Sequence, residues 1–319
     1  MQSKVLITDN AHELLQAGLE KAGYVCDYRP NISMEETLAC IHLYKGLIIN
    51  SKILVFEPLL AKAERLEWVG RLGSGLEIID LPAAQKHGVS IFSSPEGNCD
   101  AVGEHALGLL LGLATKLSIA DAAIRQNHTF ENWDREAYRG WELGGKTLAI
   151  IGFGHTGRAF AERLRGLNMR ILAYDKYKTN YTNGCEWVEE TSLEKIYAET
   201  DILSLHLPLT PETEDWLNAE RLQQFAKKLV LINTARGQLF SVGTLLENLQ
   251  NQKIVAAGLD VLPNEKPATY SILEKMQAQT LWKMPNVLLT PHVAGWTQES
   301  KKRLASILLE KILKKFPKG

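Results

Sequence analysis

The sequence predicts an α/β protein of two domains, each a parallel sheet flanked by helices. Three observations carry this. Apolar strands and helices alternate along residues 4–93. A buried strand, a glycine-rich turn and a helix follow one another over 147–164. Beyond them a further series of apolar strands ends, each time, in a polar or charged residue. Alternation of this kind is the pattern of parallel sheets with helical crossovers. At 319 residues the chain has the length of about two ordinary domains.

The first series opens with a strand at Lys4–Asp9, and Asp9 or Asn10 is placed to cap a helix over 11–22. A short strand at 24–28 precedes a helix whose start carries Ser33-x-x-Glu36, a capping box. Strands follow at 46–50, 66–72 and 89–92, with helices at 58–63 and 80–86 between them. Gly73-Ser74-Gly75 lies just past the fourth strand. Open parallel sheets bind ligands at the carboxyl ends of their strands, and two glycines beside a serine can offer backbone N–H groups to an anion. An ordinary turn fits the same pattern.

Residues 98–127 read as one long helix with an apolar stripe of Val102, Ala106, Leu109, Leu110, Leu113 and Leu117. It links the two domains. Residues 128–145 carry Phe130, Trp133, Tyr138 and Trp141 without periodicity, which points to a contact surface or to rings packed back on their own chain.

The stretch Thr147–Leu164 organises the second domain. Ala149-Ile150-Ile151 is apolar without alternation, as in a strand covered on both faces. In Gly152-Phe153-Gly154-His155-Thr156-Gly157 the first glycine permits a tight turn. The second leaves a pyrophosphate free to approach the backbone, and the third lets helix and strand pack closely. The free N–H groups at the helix start face the phosphates. A second strand ends in Asp175, whose carboxylate accepts ribose hydroxyls and repels a 2′-phosphate, favouring NAD over NADP. Strand, turn, helix and acid together make a dinucleotide site. Lys176 and Lys178 read as solvated loop lysines.

Further strands at 201–206, 229–233, 254–260 and 286–290 deliver His206, Arg236, Asp260 and His292 to one sheet edge. Helices are expected at 192–200, 213–225, 243–250 and 298–315. In the last, Lys311 is expected to lay its stem along the apolar stripe with its ammonium in water. Arg236 is a fixed cation that needs an anionic partner and suits bidentate carboxylate binding. His292 is a candidate acid–base, with Glu265 a candidate partner for its imidazolium.

Composition narrows the partners. An apolar fraction of 45% and a charged fraction of 23% are ordinary for a soluble globular protein. A net charge of −1 gives no support for nucleic acid or an anionic membrane. The four cysteines lie far apart, without metal, redox or disulfide spacing, as reduced thiols of a cytoplasmic protein would. The apolar run 106–114 is too short to span a bilayer. The chain enters a strand almost directly after Met1, so no signal peptide is expected.

Several blocks together resemble the D-isomer-specific 2-hydroxyacid dehydrogenase family, in its phosphoglycerate dehydrogenase-like branch. They are Gly70–Gly75 with Ile79-Asp80, Ala101–His105, the glycine fingerprint, Leu205–Thr210, Asn233–Gly237, Gly258–Val261 and Thr290–Gly295. The resemblance covers about residues 66–297. It implies two Rossmann/flavodoxin-like parallel-sheet domains with an active-site cleft between them. Residues 1–98 plus 296–319 would bind substrate and 99–295 would bind NAD.

By this resemblance the catalytic set is Arg236, Glu265 and His292. Arg236 would orient the substrate carboxylate, His292 would move the proton at the carbonyl oxygen, and Glu265 would tune His292. Gly152, Gly154, His155, Thr156 and Gly157 would meet the pyrophosphate and Asp175 the ribose. His206, Leu207, Thr234, Ala235, Asp260 and Gly295 would line the cofactor site. Ser74 and Gly75 would hold the substrate carboxylate, and Arg71 would assist with a phosphate. No metal is implied. The region 98–145 matches the family's dimer contact, so a homodimer is expected.

Glu77 stands where an aspartate is common, Gly103 where alanine is usual. Asn50-Ser51-Lys52 replaces an arginine-containing segment of phosphoglycerate dehydrogenases. These departures touch the substrate and leave the reaction class intact. The expected substrate pair is 3-phosphoglycerate and 3-phosphohydroxypyruvate, with glyoxylate, hydroxypyruvate and other 2-oxo acids as alternatives. A reading from another class is an NAD(H)-sensing, corepressor-like binding protein on the same fold. A formate dehydrogenase-like enzyme is disfavoured, since Glu265 stands where that branch has glutamine.

Overall fold

The structure, a computed structural model, describes residues 2–130 and 135–318. The chain divides into two compact units, residues 1–99 with 296–319 and residues 100–295.

The first unit contains β1 (Lys4–Ile7), α1 (Glu13–Lys21), β2 (Val25–Tyr28), α2 (Met34–Cys40), β3 (Gly46–Ile49), α3 (Glu57–Leu60), β4 (Trp68–Arg71), α4 (Leu81–Lys86) and β5 (Ser90–Ser93). The strands form a parallel sheet in the order β2-β1-β3-β4-β5. Central β3 is buried along its whole length, which is why Gly46-Leu47-Ile48-Ile49 shows no alternation. The expected box holds: Ser33 Oγ accepts from Glu36 N, and Glu36 accepts from Ser33 N. At α1 the expectation fails. The cap is His12, whose Nδ1 accepts from Leu14 N at 3.2 Å. Asp9 is engaged elsewhere, accepting from Thr8 Oγ1 and from Asn50 N at 2.9 Å, so it ties the ends of β1 and β3 together.

The second unit runs α5 (Cys99–Ala114), α6 (Leu117–Asn127), β6 (Thr147–Ile151), α7 (His155–Leu164), β7 (Arg170–Tyr174), β8 (Val188–Glu190), α8 (Leu193–Glu199), β9 (Ile202–Leu205), α9 (Ala219–Gln224), β10 (Leu229–Asn233), α10 (Val242–Gln250), β11 (Ile254–Leu259), α11 (Ile272–Trp282) and β12 (Val287–Leu289). Its seven strands form a parallel sheet in the order β12-β11-β10-β9-β6-β7-β8. Apolar clusters cover both faces, one around Leu203, Leu231 and Leu245, the other around Ile150, Phe160 and Leu110.

Three elements depart from expectation. The long helix is two helices, bent by 65° where Lys116 takes a left-handed φ of 55°. The apolar phase restarts there, so Leu117 leaves the stripe and is 67% exposed, and α6 buries none of its residues. The helix expected over 213–225 begins only at Ala219. Thr213 Oγ1 donates to Pro208 O and accepts from Thr210 N, a local side-chain alternative to helical pairing. Finally, α11 was not anticipated, although Ser271 and Glu274 form a capping box at its start. In the aromatic loop, Phe130 is exposed while Trp141 packs on the core cluster. Trp133 lies outside the described residues.

The chain closes with α12 (Gln298–Lys315), which belongs to the first unit. Its Ala305, Leu308 and Ile312 complete a core with Val5, Ile7, Ile48 and Trp68. Lys311 does not leave its ammonium in water. The group bonds both Glu96 oxygens at 2.8 Å and Ser93 O at 2.9 Å, because the partly buried carboxylate lies within reach. Among the described residues no single helix is long and apolar enough to cross a membrane.

Candidate active site

The strands of the second sheet end at one edge, and the candidate residues follow them there. After β6, Gly152 adopts φ 90°, and a Cβ on it would meet His206 O at 2.6 Å. A Cβ on Gly157 would meet Gly152 O at 2.3 Å, so the turn and the start of α7 touch through bare backbone. Gly154 caps α7 without a side-chain hydrogen bond. The first N–H groups of that helix therefore face an opening with no capping side chain, as a phosphate site requires. His155 is exposed and Thr156 half-buried beside it.

After β7, Asp175 Oδ2 accepts from Phe153 N and Oδ1 from Tyr177 N, both at 3.1 Å. This aims the carboxylate while leaving it lone pairs for further donors. After β9, His206 is buried, with Nε2 2.9 Å from Ser204 Oγ and Nδ1 3.3 Å from Thr156 Oγ1. Burial pushes its pKa down to about 3, so the ring is neutral at working pH. Leu207 borders the same turn, close to the missing Cβ of Gly152.

After β10 the turn is shaped by Asn233, to which the sequence assigns no role beyond ending the strand and opening the Asn233–Gly237 block. Its Oδ1 accepts from Ala235 N and its Nδ2 donates to Arg236 O. Thr234 Oγ1 is buried there with no hydrogen-bond partner among the described residues. An orphaned hydroxyl, a glycine cradle and a fixed ribose acceptor on one edge fit a dinucleotide. Arg236, half-buried, also donates from Nη1 to Ala235 O at 2.6 Å.

The contact between the candidate acid–base and its candidate partner joins the turn after β12 to the loop after β11. His292 Nδ1 lies 2.8 Å from Glu265 Oε2, with both side chains about half exposed. The hydrogen bond to Glu265 holds His292 above the ordinary imidazole value. The charges of Glu265 and Asp260 add to this, while burial and Arg236 act against it. The histidine sits at a left-handed φ of 56°, and its backbone N–H donates to Asp260 O and Thr290 O.

Asp260 explains how that backbone is held. Its buried carboxylate accepts from Val293 N, Ala294 N and Thr290 Oγ1 at 2.6–2.9 Å, and His105 Nε2 reaches the same threonine hydroxyl at 2.9 Å. The resemblance assigned Asp260 to the cofactor; the geometry also gives it the task of fixing the 290–294 turn. Gly295 follows that turn. Beside the pair lies a cavity of about 420 Å³, lined in part by Leu262, Tyr270, Trp282 and His292.

The remaining candidates belong to the first unit. Gly73 has φ 149°, and the Arg71 guanidinium lies across the space its Cβ would fill, with Nη1 1.4 Å from that point. Ser74 and Gly75 follow, half-buried and buried. The structure thus groups Arg71, Ser74 and Gly75 at the end of β4, and Arg236, Glu265 and His292 with the dinucleotide residues on the second sheet. Among the described residues no cluster of His, Cys, Asp and Glu could hold a metal ion.

Residues 107–294 match the model of the D-isomer specific 2-hydroxyacid dehydrogenase, NAD binding domain. The chain belongs to this family. It is 32% identical to the hydroxypyruvate reductase of Thermotoga maritima, over 90% of this chain and 89% of that protein. It is also 32% identical to the D-3-phosphoglycerate dehydrogenase of Methanocaldococcus jannaschii, over 98% of this chain but 57% of that protein. The chain therefore spans little more than half the length of the phosphoglycerate dehydrogenases it matches. Among solved structures, the D-lactate dehydrogenase of Aquifex aeolicus, complexed with NAD and lactic acid, aligns with a TM-score of 0.81 at 26% identity, over 98% of this chain and 95% of that one. The cofactor of the second unit is NAD.

Proposed function

We propose that the protein is an NAD-dependent oxidoreductase that interconverts a D-2-hydroxy acid and its 2-oxo acid. The observation that carries this reading is the His292–Glu265 contact at 2.8 Å, in an NAD-binding unit that presents Arg236 on the same sheet edge. When bound, the nicotinamide supplies or accepts the hydride. Everything else falls to side chains. Arg236 binds the substrate carboxylate and orients the carbonyl. His292, held by Glu265 above its usual pKa, keeps a proton ready for the carbonyl oxygen in reduction. It takes that proton from the hydroxyl in oxidation.

The first unit is the substrate-binding domain in this reading. Ser74 and Gly75 offer backbone donors, and Arg71 a cation for a distal phosphate. That cation favours 3-phosphoglycerate and 3-phosphohydroxypyruvate, as do the phosphoglycerate dehydrogenase relatives. The hydroxypyruvate reductase relative supports the smaller acids as the alternative. Homodimerisation through the 98–145 region is favoured by α6, none of whose residues is fully buried in a single chain, and by Phe130 at 84% exposure. Cysteines that are all free support a cytoplasmic enzyme.

The test is NADH oxidation with 3-phosphohydroxypyruvate, hydroxypyruvate, glyoxylate and pyruvate, with His292→Ala as control. One acid should be reduced, and the variant should lose about two orders of magnitude in rate. NADH binding with no turnover of any acid would favour the NAD(H)-sensing binding protein instead.

A further inference from the structure

Asp175 by itself disfavours a cofactor with a 2′-phosphate. Lys178 alters the charge at that point. Its Nζ donates to Phe153 O at 3.1 Å and lies 3.7 Å from Asp175 Oδ2. It is also 3.9 Å from where a Cβ on Gly154 would be. That glycine lacks a side chain where a phosphate must approach the backbone, so the ammonium stands at the rim of the phosphate opening.

The loop bearing Lys178 is tied down. The Tyr181 ring packs at 5.8 Å from Phe153, and its hydroxyl donates to Ala173 O at 2.9 Å. Arg158, in the first turns of α7, donates to Tyr181 O at 2.7 Å and Asn183 O at 3.1 Å. Lys176 differs, because it pairs with Glu212, which also accepts from the Tyr177 hydroxyl. Of the two lysines after Asp175, Lys178 is the one turned to the fingerprint.

We propose that Lys178 is a cofactor-phosphate ligand that lets this site accept NADP(H) as well as NAD(H). Asp175 and Lys178 together carry no net charge, so the ribose edge no longer repels a 2′-phosphate. A swing of the ammonium away from Phe153 O supplies it with a donor. The proposal rests on the dinucleotide reading of the second unit and is independent of the substrate and of hydride transfer.

The experiment is titration of the full chain with NADH and with NADPH, read by nicotinamide fluorescence without any acid present. It is repeated for Lys178→Ala and Lys178→Arg, with melting curves to verify folding. Wild type should bind NADPH within about thirtyfold of NADH. Lys178→Ala should weaken NADPH by about tenfold or more, the equivalent of one charged contact, and NADH by about threefold at most. Lys178→Arg should restore NADPH. Failure of wild type to bind NADPH within about thirtyfold of NADH, or equal effects of the alanine variant on both cofactors, overturns the proposal. If wild type binds neither, the dinucleotide reading itself fails.

Discussion

Replacing Glu265 with glutamine keeps the shape of the His292 contact and removes its charge. In reduction the imidazole must carry a proton, so the rate falls as pH rises through its pKa. Glu265 holds that pKa above the usual imidazole range. A charge-assisted bond at 2.8 Å contributes about 1.5–3 kcal/mol when shielded from water. With the two side chains 50% and 40% exposed, screening brings it nearer ~1 kcal/mol. At about 1.36 kcal/mol per pH unit, the alkaline limb of reduction moves down by somewhat less than one unit. Above that limb, reduction slows about fivefold. Oxidation requires the neutral ring, so its acid limb moves down too, and oxidation at acid pH becomes faster than in wild type. The assay is kcat/KM in both directions from about pH 5.5 to 9.5. Limbs that stay put while only KM changes would refute Glu265 as the group that sets the proton on His292.

Other expectations follow from contacts described above. Gly157→Ala forces a methyl to within 2.3 Å of Gly152 O; it should cost about 1–3 kcal/mol of stability and weaken NADH binding, read by a melting curve and a fluorescence titration. His206 is held near 3 in the folded chain and titrates near 6.5 when unfolded. Its contribution is therefore complete above that unfolded value and lost as pH falls from there towards 3. Urea midpoints should drop between pH 7 and 5 by the equivalent of roughly 2 kcal/mol, and His206→Gln should flatten that drop. Leu117→Lys combined with Phe130→Lys should convert a dimer to a folded monomer in analytical ultracentrifugation, with a lower melting temperature that no longer depends on protein concentration; persistence of the dimer would remove α6 from the interface.

What the sequence reveals, and what it hides, follows the distance over which each residue acts. The fingerprint is legible because each glycine answers a need of its own backbone: φ 90° at Gly152, a bare contact at Gly157. Strand ends are legible because the apolar runs stop there. Glu265 is legible only as a candidate partner of His292, with its role supplied by resemblance, since nothing local announces a contact across 27 positions. His105 and Thr290 meet across 185, and no spacing rule reaches that far. The break at Lys116 escaped because lysine carries no preference for a left-handed φ. The helix α11 did carry a signal in Ser271-x-x-Glu274. Its apolar residues misled, because Ile272, Leu273 and Met276 face outwards while Ala278 and Leu281 are the buried ones.

The return of α12 to the first unit has a consequence for synthesis. Residues 298–315 leave the ribosome only after the whole of residues 100–295 has done so. Until then the core around Val5, Ile7, Ile48 and Trp68 has Leu15 and Leu19 of α1 but lacks Ala305, Leu308 and Ile312. The seven strands of the second unit are all synthesised before α12, whereas domains usually mature in the order they are made. A premature stop within α12 would therefore leave every strand and every candidate site residue in the polypeptide. It would release a chain with every element of its NAD-binding half and an amino-terminal core short of the α12 side chains.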